Sequence, residues 1–396
     1  MIKVDIAKTY FEDEEGKLDL DSSLMLSGRF AGVCYDEEGY NHLKNESEEK
    51  TRKRISLTKD NGHHSVYDHI YMSLNITNIP KILAMVLNNE KEYTTSEKSA
   101  RYTPIKPGKD SVITEQEHRL YEKWMEIFKN KIKDMYGSIY NDSKITKLAQ
   151  ENARYLVTVF MPTTMIYTVS LRQINYIVSW LQKYIATCDQ SSDFERKLAN
   201  SMQEFINELE KLNVLDEGLL TNEKNRSISL FGRNLDSKKE YFGDVYATVY
   251  KGSFASFAQA QRHRTLDYKI ELMEEKEFFV PPIIEDDEVL VNEWLNDIKS
   301  VADVYPNGEL VTIFERGTYE NFILKCKERL CSAAQLEIMR QTKDTLTKYY
   351  EYLLENDDHL AEDIEQYTHG ARCTVPDYKC AQTCGFKEGI TLTRKI

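Results

Sequence analysis

One architectural unit occurs twice in this chain of 396 residues, and the repetition limits the folds that the sequence can adopt. In the first copy, a strand-like run at 70–76 leads through Asn78, the predicted helix cap, into an apolar helix at 82–87. In the second copy, a strand at 246–250 leads through the predicted cap Ser253 into another apolar helix. The repetition predicts an α+β chain made by duplication. Strand–helix units are common, so this pattern alone also allows coincidence.

Two longer segments, 140–210 and 318–356, are predicted to be mostly helical. The second carries one apolar face at helical spacing, formed by Tyr319, Phe322, Ile323, Cys326, Leu330 and Ala334. With a boundary near position 220, we predict two fused domains and a short Cys-rich tail. Their predicted ranges are 1–220, 221–360 and 361–396.

The formal net charge of −13 argues against non-specific nucleic-acid binding, which depends on Lys and Arg neutralising phosphates. An anionic ligand would therefore need a local arginine cluster. No run approaches the ~18–20 apolar residues of a membrane span. The N-terminus has no apolar segment, and four of the seven cysteines are scattered singly. These features predict a cytoplasmic protein without a membrane partner.

Clustered cations follow the second strand–helix unit. The run Arg262-His263-Arg264 places two permanent cations around a titratable ring. At a helix end these cations could complement the negative helix dipole, or they could bind phosphates as bidentate donors. Further on, Arg329 precedes the segment 333–338, Ala-Ala-Gln-Leu-Glu-Ile, whose small residues would also suit helix packing.

A second set of candidate residues lies in the first half. In Gly62-His63-His64-Ser65 the spacing does not suit a metal site, but His63 and Ser65 alternate and could face one ligand. The run 96–102 combines hydroxyls with Arg101, as in a phosphate cradle or a solvated charged loop. Arg154 and the run 168–172, Thr-Val-Ser-Leu-Arg, follow.

Together these motifs resemble the flavin-dependent thymidylate synthase family, from about Ser27 to Leu354. Each copy is partial. The first has Asp68-His69 where the family has Glu-His and Asn89-Glu90-Lys91 where the family has Arg-His-Arg. Its position for the later arginine falls near Leu181. The second has Leu272-Met273-Glu274 in place of Ser-x-Arg. Because the losses are complementary, a fused pair could keep one composite site.

The resemblance implies a role for each matching residue. The implied dUMP ligands are Ser99, Arg101, Arg154 and, at the pyrimidine, Arg329. The implied FAD ligands are Arg262, His263, Arg264, Ser65, Glu97 and Arg172. The implied catalytic residues are Arg329 and His63.

The resemblance also implies a reaction: one-carbon transfer from 5,10-methylenetetrahydrofolate to C5 of dUMP, giving dTMP, with flavin reduced by NADPH. Hydroxymethylation or methylation of a related pyrimidine nucleotide, and a non-catalytic nucleotide- or flavin-binding role, stay open. A homodimer of fused chains would imitate the family tetramer. The sequence contains no Gly-x-Gly-x-x-Gly motif, and this argues against a Rossmann flavoprotein.

The C-terminal tail crowds Cys373, Cys380, Cys384 and His369 into sixteen residues. Three thiolates and an imidazole could hold a structural zinc ion. The spacing is not that of a standard zinc finger, and reduced thiols packed on the main body are the alternative.

Overall fold

The computed structural model describes residues 1–99, 112–221, 226–232, 240–356, 358–376, 378, 380 and 384–396. The described residues form two compact units. Unit 1 comprises Met1–Lys98 and Pro162–Ile228, and unit 2 comprises Ser99–Met161 and Ser229–Ile396. The units are therefore not consecutive in the chain: residues 99–161, which we predicted to lie in the first domain, belong to unit 2.

Both units combine helices with one antiparallel sheet, which confirms the α+β class. The strands are β1 (Lys3–Thr9), β2 (Tyr71–Pro80), β3 (Thr94–Glu97), β4 (Pro162–Ser170), β5 (Val245–Ser253), β6 (Asp267–Leu272) and β7 (Leu310–Thr318). The helices are α1 (Leu20–Gly32), α2 (Tyr40–Leu43), α3 (Glu48–Asp60), α4 (Lys81–Leu87), α5 (Glu115–Tyr136), α6 (Asp142–Ala153), α7 (Leu171–Thr187), α8 (Asp193–Glu210), α9 (Glu217–Leu220), α10 (Phe254–Ala260), α11 (Glu288–Lys299), α12 (Tyr319–Arg329), α13 (Leu336–Glu355), α14 (Leu360–Glu365) and α15 (Lys387–Ile390).

The sheet of unit 1 has the strand order β1-β2-β4-β3. Its central strand β2 alternates buried and less buried residues because successive side chains point to opposite faces. Met72, Leu74 and Ile76 point into the core, where α4 is buried from Ile82 to Leu87. Strand β4 leads directly into α7 at Ser170, whose hydroxyl caps the helix by accepting the amide of Gln173.

The sheet of unit 2 has the strand order β5-β7-β6. Strand β5 leads into α10 at Ser253, whose hydroxyl accepts the Ser256 amide at 3.0 Å, so the predicted cap is confirmed. Strand β7 leads into α12 at Thr318, which caps that helix through the amide of Asn321. A second core of unit 2 lies between α5, α6 and α11, where Trp124, Phe128 and Trp294 pack together.

The two sheets contain corresponding sets of elements. Set 1 is β2, α4, β3, β4, α7 and α8, and set 2 is β5, α10, β6, β7, α12 and α13. In set 1, β2 and β3 pair with opposite edges of β4. In set 2, β5 and β6 pair with opposite edges of β7. The register also agrees, because Tyr71 pairs with the cap Ser170 and Val245 pairs with the cap Thr318. Within each set the last two helices pack against each other.

One detail of the sequence prediction was wrong. Asn78 is not a helix cap: it lies inside β2 with a φ of 58°, at the irregularity between Thr77 and Ile79, and Pro80 precedes α4 directly. Asparagine adopts this left-handed backbone more readily than other non-glycine residues. The segment 140–210 is mostly helical, as predicted. Strand β4 interrupts its helices because β-branched residues such as Ile166, Thr168 and Val169 favour a strand.

The end of the chain is integrated into unit 2. Ile396 lies in the core cluster beside Phe386 and Tyr136, and the backbone amide of Lys395 bonds the Tyr136 hydroxyl at 3.0 Å. Arg394 is buried and donates to the carbonyl of Ala334 at 2.6 Å. In the part of the chain that the structure describes, no helix is both long and apolar enough to cross a membrane.

Candidate active site

A buried arginine–histidine pair joins two of the predicted motifs in unit 2. Arg329, the last residue of α12, donates from Nε to Nε2 of His263 at 2.6 Å. The His263 side chain is 2% exposed and the Arg329 side chain 17%. The predicted pyrimidine-contacting arginine therefore touches the central residue of the predicted flavin-holding run, 66 positions earlier in the chain.

The imidazole of His263 is held neutral. Its burial, followed by the charges of Arg329 and Lys325, lowers the pKa of His263 from 6.5 to about 2. A neutral ring can accept the Arg329 Nε–H through an unprotonated Nε2 only as the Nδ1–H tautomer. That tautomer directs its proton toward Glu328, whose carboxylate lies 3.5 Å from Nδ1.

A buried ionic network lies behind this pair. Lys325 contacts Glu315 at 2.6 Å, and both side chains are at most 1% exposed. The hydroxyls of Tyr246 and Tyr250 donate to the two oxygens of the same carboxylate at 2.5 and 2.7 Å. Glu315 therefore accepts three hydrogen bonds, which compensates for its removal from water. Burial raises the pKa of both tyrosines well above the usual range, so they remain donors.

A second buried carboxylate, Glu337, lies in the run Ala-Gln-x-Glu-Ile. It accepts hydrogen bonds from the amide and hydroxyl of Ser253 at 2.8 and 2.5 Å, and from Tyr155 at 2.9 Å. Gln335 donates to the Tyr155 hydroxyl at 2.7 Å. Burial raises the pKa of Glu337, and the nearby charge of Arg154 opposes that shift. The network therefore links Arg154 to the motif at 334–338.

In unit 1 an ion pair joins two further family motifs. Asp68, at the family's Glu position, contacts Nη2 of Arg172 at 2.5 Å and accepts the Ser170 hydroxyl at 2.6 Å. The Arg172 guanidinium lies 5.6 Å from the ring centre of Tyr176, and its buried Nε has no hydrogen-bond partner.

The other predicted residues of unit 1 differ in exposure. His63 and Ser65 are exposed, whereas His64 between them is buried and bonded to Tyr176 at 2.8 Å. Because Tyr176 is on α7, this contact fixes the histidine segment against the helix that carries Arg172. The Glu97 carboxylate is 2% exposed and paired with Lys81.

Glu90 occupies, in set 1, the position of His263 in set 2. Each residue follows a seven-residue helix, and each amide bonds the carbonyl of the last helical residue. Glu90 is fully buried and contacts Nη2 of Arg226 at 2.7 Å. The Arg226 guanidinium stacks 3.4 Å from the ring centre of Trp180. Trp180 is adjacent to Leu181, which aligns with Arg329 when the caps of α7 and α12 are matched.

Several predicted residues lie at or beyond the edge of these clusters. Arg262 and Arg264 are exposed on either side of His263. Ser99 and Arg154 belong to unit 2, whereas Arg101 lies outside the described residues. Sequence reasoning missed Glu315 and Lys325. The alternation of side chains along the strand could have revealed Glu315, because this residue lies on the inward face of β7 with Val311 and Ile313.

Zinc binding by Cys373, Cys380, Cys384 and His369 stays a prediction. Among the described residues no group of three or more His, Cys, Asp or Glu is arranged to hold a metal ion. The tail is attached by backbone hydrogen bonds, such as those of Ala371 to Ile390 and of Arg372 to Leu330, both 2.7 Å.

Comparison with known protein families gives a match within the first half of the chain. The profile of the family described as "Thymidylate synthase complementing protein" matches residues 22–209. The resemblance to this family is therefore confirmed over those residues. The matched range contains Asp68, Glu97, Arg154 and Arg172, whereas the arginines at 262, 264 and 329 lie beyond it.

Solved structures similar to this chain include two nucleotide enzymes. One is the UMP/dUMP methylase PolB from Streptomyces cacaoi bound with 5-Br dUMP, with 15% identity, a TM-score of 0.34, and coverage of 56% of this chain and 93% of that one. Another is thymidylate synthase X from Helicobacter pylori with FAD and dUMP, with 15% identity, a TM-score of 0.31, and coverage of 56% and 100%. No curated protein matches the chain.

Proposed function

We propose that this chain is a flavin-dependent enzyme that transfers a one-carbon unit from 5,10-methylenetetrahydrofolate to C5 of dUMP, giving dTMP. The observation that carries the proposal is the 2.6 Å bond between Arg329 and His263. Motif resemblance gave these two residues roles at the pyrimidine and at the flavin, and a shared site requires such residues to be neighbours. The family match over 22–209 supports the same reaction independently.

The described residues fit an FAD. Arg262 and Arg264 are exposed cations beside a buried anchor, as a diphosphate requires. Gln261, immediately before them, is 3% exposed, and neither atom of its amide group has a hydrogen-bond partner. When bound, the flavin would supply the two electrons that NADPH provides to the reaction.

The chain itself supplies position and charge. Arg154 and Ser99, with Arg101 outside the described residues, would hold the phosphate of dUMP, and charge-assisted bonds of this kind contribute about 1.5–3 kcal/mol each. Arg329 would stabilise negative charge that develops on the pyrimidine ring when C5 attacks the one-carbon unit. The C5–H bond then breaks and its proton is lost to solvent, while the bond from the methylene carbon to the folate nitrogen breaks and tetrahydrofolate leaves. A hydride equivalent (two electrons and one proton) that originates from NADPH would convert the remaining methylene group to methyl.

We further propose that set 1 and set 2 arose by duplication within the domains predicted above. Their matching strand order, register and caps support this origin. A dimer of such chains would then correspond to a tetramer of single-copy subunits. Light scattering of the purified protein would test this: a monomer would contradict the proposed assembly.

The test of activity is direct. The purified protein should carry a yellow flavin that NADPH bleaches, and with dUMP and methylenetetrahydrofolate it should form a product that mass spectrometry identifies as dTMP. A hydroxymethyl product would favour the alternative reaction. Flavin without release of tritium from C5-labelled dUMP would favour a non-catalytic binder. Protein that binds neither flavin nor dUMP would refute the proposal.

A further inference from the structure

The hydrogen bond between Arg329 and His263 has only one possible direction. Arginine cannot accept, so Nε–H of Arg329 donates and Nε2 of His263 must be unprotonated. This bond uses Nε of the guanidinium and not its two Nη groups, so it fixes the plane of the group while leaving the fork-like end outside the contact.

The surroundings of His263 keep this acceptor available. The ring is almost fully buried, and the cations Arg329 and Lys325 oppose its protonation, so the pKa of His263 is lowered to about 2. Lys325 is itself fixed by Glu315 at 2.6 Å. The ring therefore remains a neutral acceptor throughout the pH range in which enzymes work.

Set 1 uses the same backbone position in the same way. Glu90, also buried and also the third residue after a short helix, holds Arg226 through a carboxylate. Two chemically different acceptors at one position each fix a guanidinium, so anchoring an arginine is the property that the two sets share.

We propose that His263 is a positioning residue that orients Arg329 toward the pyrimidine, and is not a flavin ligand. This inference rests on the proposed function and corrects the role that motif resemblance gave to His263. Because the bond holds Nε, loss of the acceptor would remove one restraint on the orientation of the guanidinium while the side chain itself stays in place.

The test compares His263→Leu, which removes the acceptor, with His263→Gln, whose amide oxygen can replace Nε2. We expect His263→Leu to lower kcat for dUMP roughly ten- to a hundredfold, as for a lost hydrogen bond to a charged group, with flavin content per chain unchanged. His263→Gln should recover most of kcat. The matched control is Glu90→Gln, at the same position in set 1, which should leave kcat and the KM for dUMP near wild type.

Loss of bound flavin in His263→Leu with an unchanged KM for dUMP would overturn the proposal, as would a His263→Gln variant as impaired as His263→Leu. The tautomer gives a readout that does not need activity. Ring nitrogen NMR shifts of His263 should show a neutral ring protonated at Nδ1, even if the protein makes no dTMP. A charged ring or an Nε2–H tautomer would refute the pairing itself.

Discussion

The two sets of elements have the same topology, but corresponding core positions differ in polarity. Set 1 has an apolar core at the positions where set 2 has its buried ionic network. The set 2 residues Tyr246, Tyr250, Glu315 and Lys325 correspond, by strand register and helix caps, to Met72, Ile76, Tyr167 and Ile177. All eight are buried or nearly so. The same backbone thus tolerates either hydrocarbon or a fully hydrogen-bonded charge cluster.

The difference coincides with the candidate site. Lys325 contributes to the electrostatics of His263, and His263 holds Arg329, whereas set 1 has Leu181 at the position of Arg329. Buried ion pairs are weak sources of stability, since replacing both partners by apolar residues is often neutral or favourable. We infer that set 2 retains its charges for the site, and that set 1, without this arginine, is stabilised by ordinary packing.

The largest expected loss of stability comes from removing the cation of the buried ionic network in set 2. Lys325→Met would leave the carboxylate of Glu315 buried without its cation, which should destabilise unit 2 by about 3–5 kcal/mol. Ile177→Met, at the matching position of set 1, should cost less than about 1.5 kcal/mol because it conserves volume. Urea unfolding followed by circular dichroism would measure both. Equal costs would contradict the comparison.

Removing the cation of set 1 should have a smaller effect. Arg226→Ala leaves Glu90 buried, but the Arg226 side chain is 30% exposed, so water partly screens the pair. We expect a loss of about 1–2 kcal/mol. Trp180, the sole tryptophan in the sequence of unit 1, should also change its fluorescence because it loses the stacked guanidinium. Unchanged emission would show that the stacking is absent in solution.

Because of His263, the free energy of unfolding of unit 2 should depend on pH. Its pKa is lowered on folding, so the unfolded chain binds more protons below about pH 6.5 and stability must fall with decreasing pH. The contribution of His263 to the free energy of unfolding approaches about 1.4 kcal/mol per pH unit. The charged groups near its ring are Lys325, Arg329 and Glu328. His263→Gln should reduce the slope of unfolding free energy between about pH 6 and pH 5. An identical slope would mean that the buried ring is not the titrating group.

The smallest effect is expected from a hydroxyl in set 1. Tyr167, which corresponds to Glu315, donates to the carbonyl of Leu87 at 3.0 Å. Tyr167→Phe removes one buried hydrogen bond and should cost about 1 kcal/mol. Tyr250→Phe in set 2 removes a donor to a charged carboxylate and should cost more, about 1.5–3 kcal/mol. The reverse order of midpoints in urea would contradict the conclusion that the acceptor at this position is charged in set 2 and uncharged in set 1.

The sequence by itself determined the local elements and the kind of chemistry. Period-two and helical hydrophobic patterns predicted the strand–helix units at 70–87 and 246–261, and the cap at Ser253, because these signals arise from neighbouring residues. The motifs at 62–69, 168–172, 262–264 and 329–338 gave the resemblance to the flavin-dependent thymidylate synthase family, and the family match over 22–209 confirms that resemblance for its own range.

Only the tertiary structure decided which distant residues meet. It placed residues 99–161 in unit 2, paired Arg329 with His263, joined Asp68 to Arg172, and attached the tail through backbone hydrogen bonds. Pairing across 66 or 104 positions depends on how sheets and helices pack, and no local pattern encodes it. Burial then set the charge state of His263, because the cost of removing a charge from water depends on the finished fold.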